Sequence, residues 1–139
     1  MDDVVSDLRD QHLELDTLLA SLAASDWDRP TRCEGWSVAD VVLHLSQTDE
    51  MALASLTDSY AETFSRLTGG TLGRDIDEGA ANMVDGHRGA PGAEVHAKWR
   101  AGAAELQAAL ASRDGHDRVQ WVVGTLSVQT LATTRLAEA

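Results

Sequence analysis

The sequence predicts an all-α protein, a helical bundle, on three observations. Ala and Leu outnumber Val and Ile about threefold, a balance that favours helix over strand. Proline occurs only twice in 139 residues, so long helices go unbroken. Apolar residues also recur at three- and four-residue spacing along several long stretches, the period of one helix face. The length is one domain's worth, enough to bury a substantial core.

The first helix is expected from Asp2 to about Ala24. Val4, Val5, Leu8, Leu15, Leu18, Leu19 and Leu22 mark its inner face, and His12 fills the gap as a core histidine bonded to a neighbour or to water. The segment S-D-W-D-R-P-T-R-C-E-G-W-S follows, an ordered connection punctuated by Pro30 and Gly35, with Trp27 and Trp36 packed where it closes the bundle. Ser37 and Asp40 form a short capping box: the Ser37 hydroxyl accepts from an early backbone N–H, and the Asp40 carboxylate suits the positive helix end.

The second helix is read from Val38 to about Leu67, roughly 45 Å at ~1.5 Å per residue. Val41, Leu45, Met51, Leu56, Tyr60 and Phe64 or Leu67 lie on its broad inner face, and Gly69, Gly70 and Gly73 interrupt it. A weaker helix from about Arg74 to His87 aligns Ile76, Ala80, Met83 and His87, with His87 complementing the negative helix end. Pro91 opens a further helix to Ser112 along Val95, Trp99, Leu106 and Leu110, with His96 beside that stripe and exposed. Asp114 to Gly124 is a loop whose V-Q-W-V-V run suits an extended conformation, and His116 is a solvated loop residue. The last helix opens near Ser127, turns Val128, Leu131 and Ala132 inward, and is still running at Ala139 without a stop signal.

A net charge of −12 repels phosphate backbones and anionic lipid, which argues against nucleic acid and membrane surfaces as partners. G-G-T-L-G-R lacks the Gly-Lys-Ser/Thr that would cradle a nucleotide phosphate. One cysteine, Cys33, forms neither an internal disulfide nor a cysteine zinc cage, and it is read as a small buried residue in a reducing, cytoplasmic setting. No apolar run reaches membrane-spanning length and the N-terminus lacks an export signal.

Helical bundles build metal sites from inward side chains of facing helices. Two ionisable residues stand in otherwise apolar stripes. His44 is three residues after Val41 and seven before Met51; Glu138 is seven after Leu131 and three after Arg135. For each the residues leave more than one reading open. His44 is a satisfied core histidine or a ligand. Glu138 is a ligand, a frayed terminal residue or the partner of Arg135, which itself either forms a salt bridge, orients that carboxylate or attracts an anionic substrate.

The run W-D-R-P-T-R-C-E-G-W-S-V-A-D-V-V-L-H-L, Trp27 to Leu45, resembles the signature of the metal-binding domain of mycothiol-dependent maleylpyruvate isomerases, part of the DinB-like superfamily. Arg118 to Glu138, with W-V-V-G leading into R-L-A-E, is similar to an uncharacterised metal-binding subgroup of that superfamily. The order of helices agrees along the chain, with Thr57 to Gly92 only loosely matched. The resemblance implies a DinB-like four-helix bundle with an extra short helix, forming a single metal-binding domain over residues 1–139. It also implies a divalent metal, zinc or nickel, held by one His of the second helix and by Glu and His of the last. His44 and Glu138 match the first two ligands. The third would fall at position 142, beyond Ala139, so the chain reads as the N-terminal part of a longer protein, truncated inside the motif.

By this resemblance an open metal position takes mycothiol or another small thiol as co-substrate, and the activated thiolate attacks a small electrophilic substrate in an isomerase or transferase reaction. The alternative is a non-catalytic acidic interaction or oligomerisation module with an incomplete metal site. A homodimer stays open under both.

Overall fold

A computed structural model of the chain describes residues 2–70, 76–122 and 124–138, with the side chains of Asp2 and Glu138 outside the described set. Helix α1 spans Asp2–Ala20 and leads through a 3₁₀ turn at Ala24–Asp28 to α2, Val38–Leu56. Two shorter helices follow, α3 at Tyr60–Thr68 and α4 at Ile76–His87, then α5 at Gly92–Ala111. A hairpin of β1, Arg118–Trp121, and β2, Gly124–Ser127, connects to α6, Val128–Glu138. Among the described residues the molecule is therefore mostly helical with one small sheet, and the all-α expectation holds.

The bundle consists of α1, α2, α5 and α6, and its directions follow from residue pairs. Asp16 meets His96 and Arg100 while His12 meets Gln107, so α1 and α5 run antiparallel. Val42 and Leu43 share one apolar cluster with Val95 and Trp99, whereas Met51 and Leu56 share the other with Leu106 and Leu110, so α2 and α5 run parallel. Leu56 clusters with Val128 and Leu131, and Asp49 pairs with Arg135, which makes α6 antiparallel to α2. Burial of these side chains, each worth about 1.5–3 kcal/mol, is the main force holding the four helices together.

Several local expectations are met for the reasons given. Ser37 caps α2: its hydroxyl accepts from the Asp40 N–H at 3.2 Å, and the Asp40 carboxylate accepts from the Ser37 N–H at 3.0 Å. Val128, Leu131 and Ala132 are fully buried on α6. His12 is a buried histidine 2.7 Å from the Gln107 amide, its ring edge-on to Trp99.

Other expectations are corrected. The helix read from Val38 to Leu67 is two helices, because Thr57, Asp58 and Ser59 turn the chain. Asp58 takes a left-handed backbone at φ 59°, which Asp tolerates better than most residues, and the Ser59 N–H bonds back to the Ala54 carbonyl at 2.9 Å. The inner face of α2 is rotated from the one expected: Val42 and Leu43 are buried while Val41 and Leu45 are half-buried, since α5 covers one side and α3 and α4 another. The first helix stops at Ala20, and Leu18 on it is 59% exposed; Ile76 on α4 is 53% exposed. Pro91 is the N-cap of α5 rather than a first-turn residue.

The apolar run after Asp114 is a two-stranded antiparallel hairpin, with Val119 opposite Leu126 and Gln120 opposite Thr125. It is pinned to α2 by the Ser55 hydroxyl, which donates to the Gln120 carbonyl at 2.6 Å. Arg74 and Gly73, read as the edge of a helix and a break, lie outside the described residues. No described helix is long and apolar enough to cross a membrane.

Candidate functional site

The connection before α2 forms a tight turn that presents two aromatic rings. Pro30 and Ser37 bridge as antiparallel backbone, the Thr31 N–H donates to the Trp36 carbonyl at 3.2 Å, and the Trp36 N–H donates to the Cys33 carbonyl at 3.0 Å. The Thr31 hydroxyl closes the turn, donating to the Trp36 carbonyl at 2.9 Å and accepting from the Cys33 N–H at 3.1 Å. Gly35 takes φ 81°, a conformation costly for a residue with a Cβ. These bonds explain the T-x-C-x-G-W pattern: Thr closes the loop, Gly permits it, and Trp36 is delivered onto α2.

Trp36 lies against His44, ring centroids 5.2 Å apart and planes inclined by 41°. His44 is half-buried rather than enclosed in the core, and it forms part of the wall of a cleft of about 620 Å³ between this turn and the first turns of α4. Cys33, Glu34 and Asp77 contribute a thiol and two carboxylates to the same cleft, and Ile76, Ala80 and Ala81 supply an apolar wall. Cys33 is exposed, which corrects its reading as a buried residue: the turn that uses its backbone points its side chain outward.

The cleft lining includes nitrogen, oxygen and sulfur donor types, the classes that bind a borderline metal ion such as zinc. Among the described residues no three His, Cys, Asp or Glu side chains stand close enough together to hold an ion. The second expected ligand, Glu138, is the last residue of α6, and its side chain lies outside the described residues. The described residues supply His44 without a completed set of donors around it, and the direction of α6 follows from its pairing with α2. Because α6 runs antiparallel to α2 and Arg135 lies opposite Asp49, the next turn of α6 advances toward the His44 end of α2.

The other histidines are placed elsewhere. His87 bonds through Nδ1 to the Met83 carbonyl at 3.0 Å in the last turn of α4, as its helix-end reading implied, and His116 is exposed. His96 was expected to be exposed and is buried instead, its Nε2 2.6 Å from Asp16 and its ring near Trp27 and Trp99. The hydrogen bond from His96, followed by that from Arg100, holds the Asp16 carboxyl below the usual carboxylate range. The residues the sequence reading missed are Asp49, whose role needs the α2–α6 pairing, and the rim carboxylates Glu34 and Asp77, which adjoin His44 only once α4 folds over α2.

Residues 8–139 match the family model described as mycothiol maleylpyruvate isomerase N-terminal domain. Uncharacterized proteins from two strains of Mycobacterium tuberculosis are 31% identical over 136 residues, covering 96% of this chain and 51% of theirs. Two crystal structures of mycothiol-dependent maleylpyruvate isomerase, one of them a mutant, match with TM-scores of 0.73 and 0.71 at 13% and 14% identity, covering 99% of this chain and 56% of those. At that identity the likeness establishes the fold, and the chain spans about half the length of the relatives it matches.

Proposed function

The chain belongs to the mycothiol maleylpyruvate isomerase N-terminal domain family, and on that footing we propose that it is a single divalent-metal-binding domain serving a thiol-dependent isomerase or transferase in the cytoplasm. The observation that carries this reading is the position of His44: on the wall of an open cleft, under Trp36, on the helix that faces α6. His44 and Glu138 would hold a divalent ion, zinc or nickel in character, with a third ligand one helical turn past Glu138.

The chemistry such an ion would supply is deprotonation of a coordinated thiol, which would leave mycothiol or a similar small thiol as a nucleophile at neutral pH. The residues of this chain do the rest. Trp36 packs its tilted indole against the His44 ring and so restricts where that ring can turn. Ile76, Ala80 and Ala81 offer a surface for the apolar part of a thiol or substrate, and the Glu34 and Asp77 carboxylates favour cations at the cleft mouth. The Asp49–Arg135 pair ties α6 to α2, and in this reading that register is what would bring Glu138 toward His44. Addition of the thiolate to an electrophilic double bond forms a C–S bond at the expense of the π bond; after rotation, expulsion of the thiolate restores the double bond.

The test is a thiol-dependent assay of the chain, extended by one helical turn with a histidine at position 142, against a panel of unsaturated acids. Turnover that needs both thiol and metal, and that falls at least about 100-fold in His44→Ala, is the expected result. The second reading, a non-catalytic acidic module, is favoured by the lack of a three-residue ligand cluster among the described residues. A metal-free extended chain without thiol-dependent turnover would overturn the first reading and leave this one.

A further inference from the structure

Beside the His44 cleft, between α2, α4 and α5, lies a second cavity of about 180 Å³ that shares none of the residues lining that cleft. Its interior carries a polar group with an unmet need. Gln47 is 2% exposed, and its Nε2 donates to the Met83 carbonyl at 2.9 Å. That bond fixes the orientation of the amide, since only the nitrogen can face a carbonyl. The Oε1 is therefore a buried acceptor, and it has no partner among the described residues. Ser46, also buried, adds a hydroxyl beside it.

Buried acceptors in folded proteins are paired, so the cavity calls for an occupant bearing an O–H or N–H. One water needs only about 10–15 Å³ of such space, and the cavity is more than ten times larger. Leu43 and its apolar neighbours form the walls, which suits a short hydrocarbon body. At the mouth stand Lys98 and His87, both exposed, with Glu94 one turn before Lys98. The Lys98 ammonium suits one carboxylate, and the Glu94 carboxylate on the same side of α5 disfavours a second negative charge.

We propose that this cavity binds a small monocarboxylic acid, its carboxylate at Lys98 and a hydroxyl or N–H at its far end donating to Gln47. The site is independent of the metal reading, because neither His44 nor Glu138 contributes to it.

The experiment is a chemical-shift titration of the ¹⁵N-labelled chain with three probes: pentanoate carrying a terminal hydroxyl, plain pentanoate, and glutarate. The hydroxy acid is expected to bind in the millimolar range and to shift the Gln47 side-chain amide signals, with each of the other two about tenfold weaker. Lys98→Ala, at an exposed position, should weaken the hydroxy acid about tenfold without unfolding the protein. Gln47→Leu should erase the preference over plain pentanoate. Equal binding of the three probes, an unchanged affinity in Lys98→Ala, or unmoved Gln47 signals up to about 50 mM probe would overturn the proposal and leave the cavity a water site.

Discussion

Arg135 of α6 and Asp49 of α2 form an ion pair inside the bundle, 3.9 Å apart, each side chain less than a tenth exposed, with the guanidinium 5.0 Å from the centre of the Trp121 ring. Here α6, the helix carrying Glu138, is tied to α2, the helix carrying His44. Desolvating two charges offsets much of their attraction, so the pair contributes register more than stability.

Removing one partner should therefore cost more than removing both. Asp49→Ala leaves the Arg135 charge buried, and a loss of about 3–5 kcal/mol is expected. The double change Asp49→Leu with Arg135→Met should cost much less. Urea denaturation of the three variants checks the order, and a double variant as unstable as the single one contradicts it.

Gly92 opens α5 directly against the Trp27 indole, and a Cβ there would overlap the ring. Gly92→Ala should destabilise by about 1–3 kcal/mol, as overpacking does. Gly102, in the middle of the same helix, has nothing within 4 Å of such a Cβ, so Gly102→Ala should stabilise by about 0.5–1 kcal/mol. Thermal melts of the two variants should shift in opposite directions.

Burial holds the His12 imidazole below its ordinary value of 6.5. Above that pH the ring is neutral in both folded and unfolded chains and contributes nothing to the pH dependence. As pH falls through 6.5 the unfolded chain takes up a proton that the folded one resists, so stability falls over the window down to the folded value. Denaturant midpoints at about pH 7.5 and 5.5 should differ more in the wild type than in His12→Gln, and equal differences would contradict this role.

Tyr60 is buried, its hydroxyl has no partner among the described residues, and burial pushes its ionisation up to about 12. Tyr60→Phe keeps the packing on Phe64 and Trp121 and removes the unpaired oxygen. It should leave stability unchanged or raise it by about 1 kcal/mol in chemical denaturation.

The helical bundle was legible because periodicity reports which face is buried, and Leu8, Leu106, Leu110 and Leu131 are indeed enclosed. The α2 start was legible because Ser37 and Asp40 act locally. The break at Asp58 was not, since T-D-S lies within a continuing apolar pattern and only the backbone turn separates α2 from α3. His96 was misplaced for a different reason: its partner Asp16 is on α1, and no spacing within α5 reports a contact between helices. The same limit applies to the candidate site. His44 stood out as a polar residue in an apolar stripe, but the cleft around it comes from α4 and the 31–36 turn, segments far apart in the chain.

Metal content tests the central claim most directly. The chain extended by one helical turn with a histidine at position 142 should, when purified without chelators and analysed for elements, carry about one equivalent of zinc or nickel per chain. His44→Ala and Glu138→Ala should each lose it. A metal-free extended chain, or a full equivalent retained in its His44→Ala variant, would contradict the account.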